Sequence, residues 1–239
     1  MKLLSRLLAS SPGRKYVMAA SGAGLLVFVT VHMLGNLQVL LGPEVLNAYA
    51  HSLRNPLELL WAIRLVLIGL VVMHLWACVA LTLENRAARP VAYARSFESP
   101  AVTYASRTMM WSGGVAGLFV VYHLLHFTVK APGVNLTGLD FGVWTHTLPD
   151  GRGTPDVYRM VIAGFSRPVV AVFYVASVGL LCWHLSHGIG AAFQSLGCKN
   201  RAWAVAIRLL SNGYALMLFL GFVAVPVAVA LGFGKEALK

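Results

Sequence analysis

The stretch VVYHLLHFTVK, residues 120–130, decides how this sequence is interpreted. It closes an uncharged run from Thr108 to Val129, and a helix of about 20 apolar residues crosses the roughly 30 Å hydrocarbon core of a bilayer. Within that run lie two imidazoles, His123 and His126. A second stretch, CWHLSHGIG (182–190), places two histidines at the same spacing. The sequence therefore puts pairs of polar rings into segments whose composition predicts membrane-spanning helices.

The composition as a whole is that of a membrane protein. Of the 239 residues, 58% are hydrophobic and only 11% are charged, whereas a soluble domain has about 25% charged residues. The predicted fold class is an all-α integral membrane protein with five transmembrane helices, and residues 1–239 are predicted to form a single membrane domain. The five segments, called spans I to V, cover about 16–41, 57–83, 107–130, 168–195 and 203–233.

Two of the connections between spans are long enough to carry structure of their own. The segment GPEVLNAYAHSLRNP (42–56) has turn residues at both ends and is predicted to contain a short surface helix. The longest connection, 130–167, contains Gly, Pro and Asp at the frequency of a loop, and loops of this length usually have a task. We expect it to cap something in the membrane. No internal repeat is strong enough to support an argument.

The basic residues predict the orientation of the chain. The formal net charge is +11, but Lys and Arg lie at the edges of spans rather than on one patch, which indicates contacts with anionic lipid and not with nucleic acid. With the N-terminus in the cytoplasm, more than half of the 19 Lys and Arg residues lie on the inner side. These inner residues are Lys2, Arg6, Arg14, Lys15, Arg86, Arg89, Arg95, Arg107, Lys199, Arg201 and Arg208.

Six of the eight histidines lie within the spans. They are His32, His74, His123, His126, His184 and His187. A polar ring inside the bilayer costs free energy unless it is paired, so each one is a candidate functional residue. A single such histidine is as often a hydrogen bond between helices. Four spans that each carry one histidine at a similar place favour a shared function.

The depth of four of these histidines predicts what they bind. Spans I and III run outward and place His32 and His123 in the outer half, whereas spans II and IV run inward and place His74 and His184 in the inner half. The two levels differ by on the order of 10 Å at 1.5 Å per residue. Two facing imidazoles at each level fill both axial positions of a haem iron, so the sequence predicts two haems. Iron with two histidine ligands has no open site, which suits electron transfer.

The remaining two intramembrane histidines lie three residues beyond a predicted ligand. On an ideal helix this step moves a side chain by about 4.5 Å along the axis, so only one histidine of each neighbouring pair can bind a given iron. The order along the chain favours His123 and His184 as ligands. We expect His126 and His187 to form a hydrogen bond with a haem propionate, a water or a quinone.

Small residues and cations near the predicted ligands fit a large flat anionic cofactor. Gly113 and Gly117 of span III leave room for such a group, although GxxxG spacing equally predicts close helix packing. Further glycines are Gly22, Gly24, Gly35, Gly114, Gly179, Gly188 and Gly190. Candidate partners of the propionates are Arg54, Arg64 and Arg167 near the outer ends, and Arg14, Lys15 and Arg107 near the inner ends.

Taken together, these stretches resemble the single-chain, five-helix, di-haem cytochrome b subunit that anchors bacterial succinate dehydrogenases and fumarate reductases. The resemblance covers nearly the whole chain. It rests on VHMLGNLQ in span I, VVMHLWACVALTLENRA in span II, SRTMMWSGGVAGLFVVYHLLHF in span III, and DVYRMVIAGFSRPVVAVFYV followed by WHLSHGIG in span IV. In that family each of the first four helices supplies one ligand. The matching residues are His32 and His123 for the outer, distal haem and His74 and His184 for the inner, proximal haem.

The resemblance implies the setting in which the protein works. A four-helix bundle of spans I to IV would hold two haems b, in the cytoplasmic membrane of a bacterium. A flavoprotein subunit and an iron–sulfur subunit would bind on the cytoplasmic side, and electrons would pass between their clusters and a quinone, usually menaquinone, near the outer haem. As a hypothesis, Glu58 or His51 exchanges the protons that accompany the quinone reaction. Glu44 lies in the same outer segment. For each residue alone, a solvated surface group is the simpler interpretation.

Two other classes of protein stay open at this point. A di-haem anchor of a formate dehydrogenase or a hydrogenase would need similar ligands, although ligands spread over four helices favour the first class. A transporter with a histidine proton relay usually has Asp or Glu inside its spans, and none lies in these uncharged runs. The cysteines Cys78, Cys182 and Cys198 form neither CxxC nor CxxCH, which excludes a covalently attached c-type haem.

Overall fold

The computed structural model describes residues 8–88 and 104–239, and they are mostly helical. Residues 1–7 and 89–103 lie outside this description. They include Lys2, Arg6, Arg89 and Arg95, four of the basic residues on which the predicted orientation rests. We call the side on which the first span begins the inner side, after that predicted orientation, and the opposite side the outer side.

Five helices are long and apolar enough to cross a membrane, as the sequence predicts. The described α-helices are α1 (Ser11–Leu37), α2 (Pro43–Arg54), α3 (Leu57–Ala87), α4 (Tyr104–Arg107), α5 (Met109–His123), α6 (Val157–Phe165), α7 (Pro168–Ser195) and α8 (Ala204–Ala230). Spans I to V correspond to α1, α3, α5, α7 and α8. The short surface helix predicted within 42–56 is α2. The chain thus has the helices of a multi-pass membrane protein.

The ends of the spans follow ordinary local rules, with one departure. Helix α1 begins after Ser10, whose hydroxyl accepts a hydrogen bond from the Gly13 amide at 3.2 Å, and α7 begins at Pro168, a residue that suits the first helical position. Span III departs because a π-helical turn, Leu124–Thr128, follows α5. His126 lies in this turn, so the step from His123 is not that of an ideal α-helix.

The spans pack in a specific order. Helix α1 lies against α3, α7 and α8, while α7 also lies against α5 and packs most extensively with α8. Within the described residues no comparable contact joins α3 to α5 or to α7. The inner part of α3 does touch α5, because Met110 lies 3.5 Å from the Cys78 thiol and 3.4 Å from the Thr82 hydroxyl. Helix α3 is therefore held mainly by α1.

Most apolar side chains of the spans face outward. Leu118, Val172 and Leu209, for example, are all exposed. Lipid tails are as apolar as these side chains, so such surfaces are expected on helices that cross a bilayer. The buried core lies instead where α1, α7 and α8 meet, and it contains Met33, Val178 and Leu218.

The outer side carries a cap of short elements. Helices α2 and α6 are joined by Asn47, which is fully buried, and its amide oxygen accepts from the Val157 and Tyr158 amides at 2.8 and 3.1 Å. A two-stranded antiparallel hairpin, β1 (Thr145–Thr147) and β2 (Gly153–Pro155), lies between the third and fourth spans. The long connection predicted to act as a cap therefore has a defined structure.

Candidate functional site

The outer pair, defined as His32 and His123, comes from α1 and from the last residue of α5. Their ring centroids lie 5.7 Å apart and the ring planes are nearly perpendicular, at 85°. Two imidazoles bound to one metal ion, each through a bond of about 2 Å, have centroids about 6 Å apart. The two rings of the outer pair thus lie close enough to bind the same metal ion.

Aromatic rings surround the outer pair. Phe28, one turn before His32 on α1, stacks on that ring at 5.4 Å with an interplanar angle of 17°. Phe119 and Phe127 lie 6.0 and 5.9 Å from the His123 ring. These contacts restrict the rotation of both imidazoles by packing, and they present apolar surface to anything bound between them.

A tyrosine that sequence reasoning missed connects two of the predicted site residues. The Tyr174 hydroxyl of α7 lies 3.0 Å from His126 Nδ1 and 3.4 Å from His123 Nδ1. His126 is fully buried, and its other ring nitrogen, Nε2, has no hydrogen-bond partner among the described residues. A β-carbon on Gly164 of α6 would lie 3.1 Å from that nitrogen. His126 therefore connects the outer pair to the cap.

The cap also covers His126 from the outer side. Its ring stacks on Phe127 at 3.9 Å and lies 5.9 Å from the ring of Phe141, which is only 1% exposed. Phe141 packs in turn against Met160 and Ala163 of α6. The long connection thus shields His126, which lies closer to the outer end of span III than His123 does.

The inner pair, defined as His74 and His184, comes from α3 and α7. Each ring contacts a serine of a different span: His74 Nδ1 lies 3.2 Å from the Ser21 hydroxyl of α1, and His184 Nδ1 lies 3.3 Å from the Ser112 hydroxyl of α5. In both rings Nδ1 is engaged by the serine hydroxyl, so Nε2 is the nitrogen that remains available to a metal.

Two glycines complete these contacts. A β-carbon on Gly22 would lie 3.3 Å from His74 Cε1, and one on Gly113 would lie 3.1 Å from His184 Cε1. Real β-carbons rarely approach other atoms as closely as 3.1 Å. A side chain at either position would therefore require the imidazole to shift by a few tenths of an ångström. By contrast, a β-carbon on Gly117 would meet nothing within 4 Å, so the GxxxG spacing does not mark close helix packing here.

The other predicted site residues lie apart from these pairs. Glu58 is exposed in the first turn of α3, and His51 is half-buried in the last turn of α2, where its Nε2 lies 3.1 Å from the Asn55 amide nitrogen. Glu44 lies 3.2 Å from His146 of the hairpin. His187 is half-buried on α7. All except His187 are at the outer surface.

The predicted cationic residues fall into two groups. On the inner side Arg14 forms an ion pair with Glu84 at 3.1 Å. On the outer side, burial and the nearby Arg64 lower the pKa of Arg54, and burial and Arg54 lower the pKa of Lys130. The outer cations therefore lie close enough to repel one another, and an anion there would relieve that repulsion.

Farther out, the cap has an exposed ion pair of its own. The Arg152 guanidinium lies 2.5 Å from an Asp150 carboxylate oxygen and holds the pKa of that carboxyl well below its usual range. Arg167 donates to the Thr137 carbonyl at 3.4 Å. These contacts belong to the loop and do not reach either histidine pair.

Among the described residues, no group of three or more His, Cys, Asp or Glu side chains could hold a metal ion. A haem iron needs only two protein ligands, because the porphyrin supplies the other four. Comparison of the chain with protein-family models, with curated proteins and with solved structures found no match. Any functional conclusion therefore depends on the sequence and on the geometry of the four histidines.

Proposed function

We propose that this protein is the membrane-anchor cytochrome b subunit of a succinate:quinone oxidoreductase, that is, of a succinate dehydrogenase or fumarate reductase. In this proposal α1, α3, α5 and α7 form a four-helix bundle that holds two haems b. The observation that carries it is the outer pair, in which His32 and His123 come from two different spans and their ring centroids lie 5.7 Å apart. The proposal pairs His74 with His184, from two further spans, in the same way at the inner level.

The surroundings of the imidazoles support haem as the bound group. The rings of the outer pair lie close enough to bind one iron, and the serine contacts of the inner pair leave Nε2 of each ring available. Small residues at Gly22 and Gly113 let the rings lie where they do.

The chain's residues would hold and insulate the cofactor. A bound haem b supplies reversible one-electron transfer, and two histidine ligands leave no position for oxygen. The four imidazoles set the position of each iron. Apolar rings such as Phe28 and Phe119 exclude water from the outer pair, and cations such as Arg54 and Arg64 at the outer ends favour negatively charged propionates.

The partners follow from the same proposal. The inner haem would face a flavoprotein subunit and an iron–sulfur subunit on the cytoplasmic side of a bacterial inner membrane. A quinone, proposed to be menaquinone, would react near the outer haem. The exposed Glu58 and the half-buried His51 lie on consecutive helices at that surface and are proposed to exchange the protons of the quinone reaction.

A reduced-minus-oxidised absorbance spectrum of the purified chain tests the class of protein. We expect b-type bands and two haems per chain, whereas a colourless chain would contradict the proposal and favour a transporter. Co-purification of a subunit with covalently or tightly bound flavin, together with succinate-dependent reduction of the haems, then tests the enzyme. A formate- or hydrogen-dependent reduction would instead assign the anchor to another oxidoreductase.

The proposed quinone residues need a separate test. The double variant Glu58→Gln, His51→Ala should keep both haems and lose quinone-linked turnover by about 100-fold or more, the size of a general acid–base contribution. Turnover equal to that of the unaltered complex would remove both residues from the proposal and leave the haem assignment intact.

A further inference from the structure

A short pattern of residues occurs twice in the chain, and the serine of each copy contacts a histidine of the inner pair. The pattern Met-x-x-Ser-Gly followed by nine residues and His occurs in α1 and again in α5. It comprises Met18, Ser21, Gly22 and His32 in the first copy, and Met109, Ser112, Gly113 and His123 in the second. Each copy ends on a member of the outer pair.

In each copy the histidine lies at the outer level and the serine lies closer to the inner side. Eleven residues correspond to about 16 Å along an α-helix and to about three full turns, so the serine and the histidine share one face of the helix. The serine therefore lies at the inner level, which explains its contact with a member of the inner pair. Helices α1 and α5 each supply an outer imidazole and an inner hydroxyl.

The other hydrogen bonds of Ser21 determine whether its hydroxyl donates a proton to His74 or accepts one from it. Its hydroxyl lies 2.7 Å from the Val17 carbonyl and 3.2 Å from the Met18 carbonyl, both of which can only accept, so the single hydroxyl proton is directed to the backbone. A lone pair of the oxygen then accepts from His74 Nδ1–H at 3.2 Å. This contact selects the tautomer of His74 that carries its proton on Nδ1.

Ser112 repeats this arrangement at the other inner ligand. Its hydroxyl lies 3.2 Å from the Met109 carbonyl and 3.3 Å from His184 Nδ1. Both serines are almost fully buried, with 1% and 4% of their surface exposed. At Gly22 and Gly113, the next residues in the chain, a β-carbon would lie 3.3 and 3.1 Å from Cε1 of the same rings. Each serine–glycine pair thus forms the surface against which one imidazole ring packs.

We propose, on the basis of the proposed function, that Ser21 and Ser112 are positioning residues for the inner haem: they hold His74 and His184 as Nδ1–H tautomers with Nε2 free for iron. An acceptor on Nδ1–H makes the imidazole a stronger electron donor, which stabilises the oxidised iron. The two hydroxyls therefore lower the reduction potential of the inner haem as well as orienting its ligands.

The variants Ser21→Ala and Ser112→Ala, prepared in the full complex, test this inference. Loss of such a partner typically weakens binding of the metal group by 10- to 100-fold. We expect haem retention at the inner site to fall by that factor and the midpoint potential of the inner haem to rise. The outer haem should not change. The inner haem is identified as the one that a His74→Ala variant lacks.

Ser211→Ala is the matched control. Ser211 of α8 is buried to the same degree and its hydroxyl donates to the Ile207 carbonyl at 2.7 Å, but the described structure gives it no contact with a histidine. This variant should leave both haems and both potentials unchanged. Ser21→Thr and Ser112→Thr retain the hydroxyl and should retain the potential of the inner haem.

The outcomes separate this inference from the function on which it rests. A purified complex without any b-type haem would contradict both. Two haems in the unaltered complex, with an unchanged inner potential and retention in both alanine variants, would contradict the positioning role alone. If the alanine variants fail to assemble, threonine variants that fail equally would overturn the inference, because they would show a packing role for the serines.

Discussion

At the inner level each imidazole forms a polar contact with a serine of another span, at 3.2 Å for His74 and 3.3 Å for His184. At the outer level the rings are held differently. His32 is stacked on Phe28, and His123 reaches the Tyr174 hydroxyl only at 3.4 Å. The inner contacts are duplicated and nearly identical, whereas the outer contacts differ between the two rings.

This difference shows that two similar pairs of side chains can depend on different parts of a fold. The inner pair depends on the packing of α1 with α3 and of α5 with α7, since each contact crosses one of these interfaces. The outer pair depends on the buried Tyr174, whose hydroxyl contacts both His123 and His126, and on the cap that covers His126. Substitutions should therefore affect the two levels separately.

The largest expected effect comes from the choice between neighbouring histidines. His123→Ala should remove the outer haem and reduce the haem content from about two per chain to about one, because an iron with a single imidazole is held weakly. His126→Ala should keep both haems. Haem content is measured as the pyridine haemochrome. Loss of a haem in His126→Ala but not in His123→Ala would reverse the assignment of the ligand.

A smaller effect is expected when an imidazole is pushed out of place. In Gly113→Ala the new methyl group lies 3.1 Å from His184 Cε1, so the ring must shift. We expect about tenfold weaker haem retention at the inner site, at the low end of the range for disturbed ligand orientation. Gly114→Ala is the control, because its methyl group meets nothing within 4 Å. Equal behaviour of the two variants would contradict the tight fit around His184.

Removal of the Tyr174 hydroxyl should affect the outer level alone. Tyr174→Phe removes the hydroxyl that lies 3.4 Å from His123 Nδ1 and leaves His126 without its only hydrogen bond among the described residues. A buried hydrogen bond of this kind contributes about 1 kcal/mol. We expect that loss in stability, measured by thermal unfolding in detergent, together with a shift in the potential of the outer haem. A shift in the inner haem instead would show that the two levels are coupled.

Sequence reasoning predicted the spans well because hydropathy determines them. Span IV was predicted over 168–195 and the helix is Pro168–Ser195, while span I begins earlier than predicted, at Ser11, because the polar residues before it still form helix. Depth alone predicts the pairing of the four imidazoles by level, and the structure brings two of them, His32 and His123, together. The cap could be predicted to exist, but its hairpin and the buried Asn47 depend on contacts between distant segments.

The residues that were missed are those whose role depends on a neighbouring helix. In the sequence, Tyr174 and Ser21 have no feature that distinguishes them from other residues of their spans. Tyr174 contacts the histidines only because α7 packs on α5, and Ser21 contacts His74 only because α3 packs on α1. The equal spacing of Ser21 to His32 and Ser112 to His123 was the available signal. A π-helical turn at His126 could not be predicted from helical periodicity.

The smallest expected effect concerns the inner end of the interface on which His74 depends. Glu84 of α3 bonds both the Ser11 hydroxyl and Arg14 of α1, and its side chain is 39% exposed. Solvent weakens such an ion pair to about 0.2–1 kcal/mol. Glu84→Gln should lower thermal stability by that amount and leave both haem spectra unchanged, because Ser21 holds the ring of His74 independently. An altered spectrum of the inner haem would show that the end of the helix, and not the serine, sets the position of the imidazole.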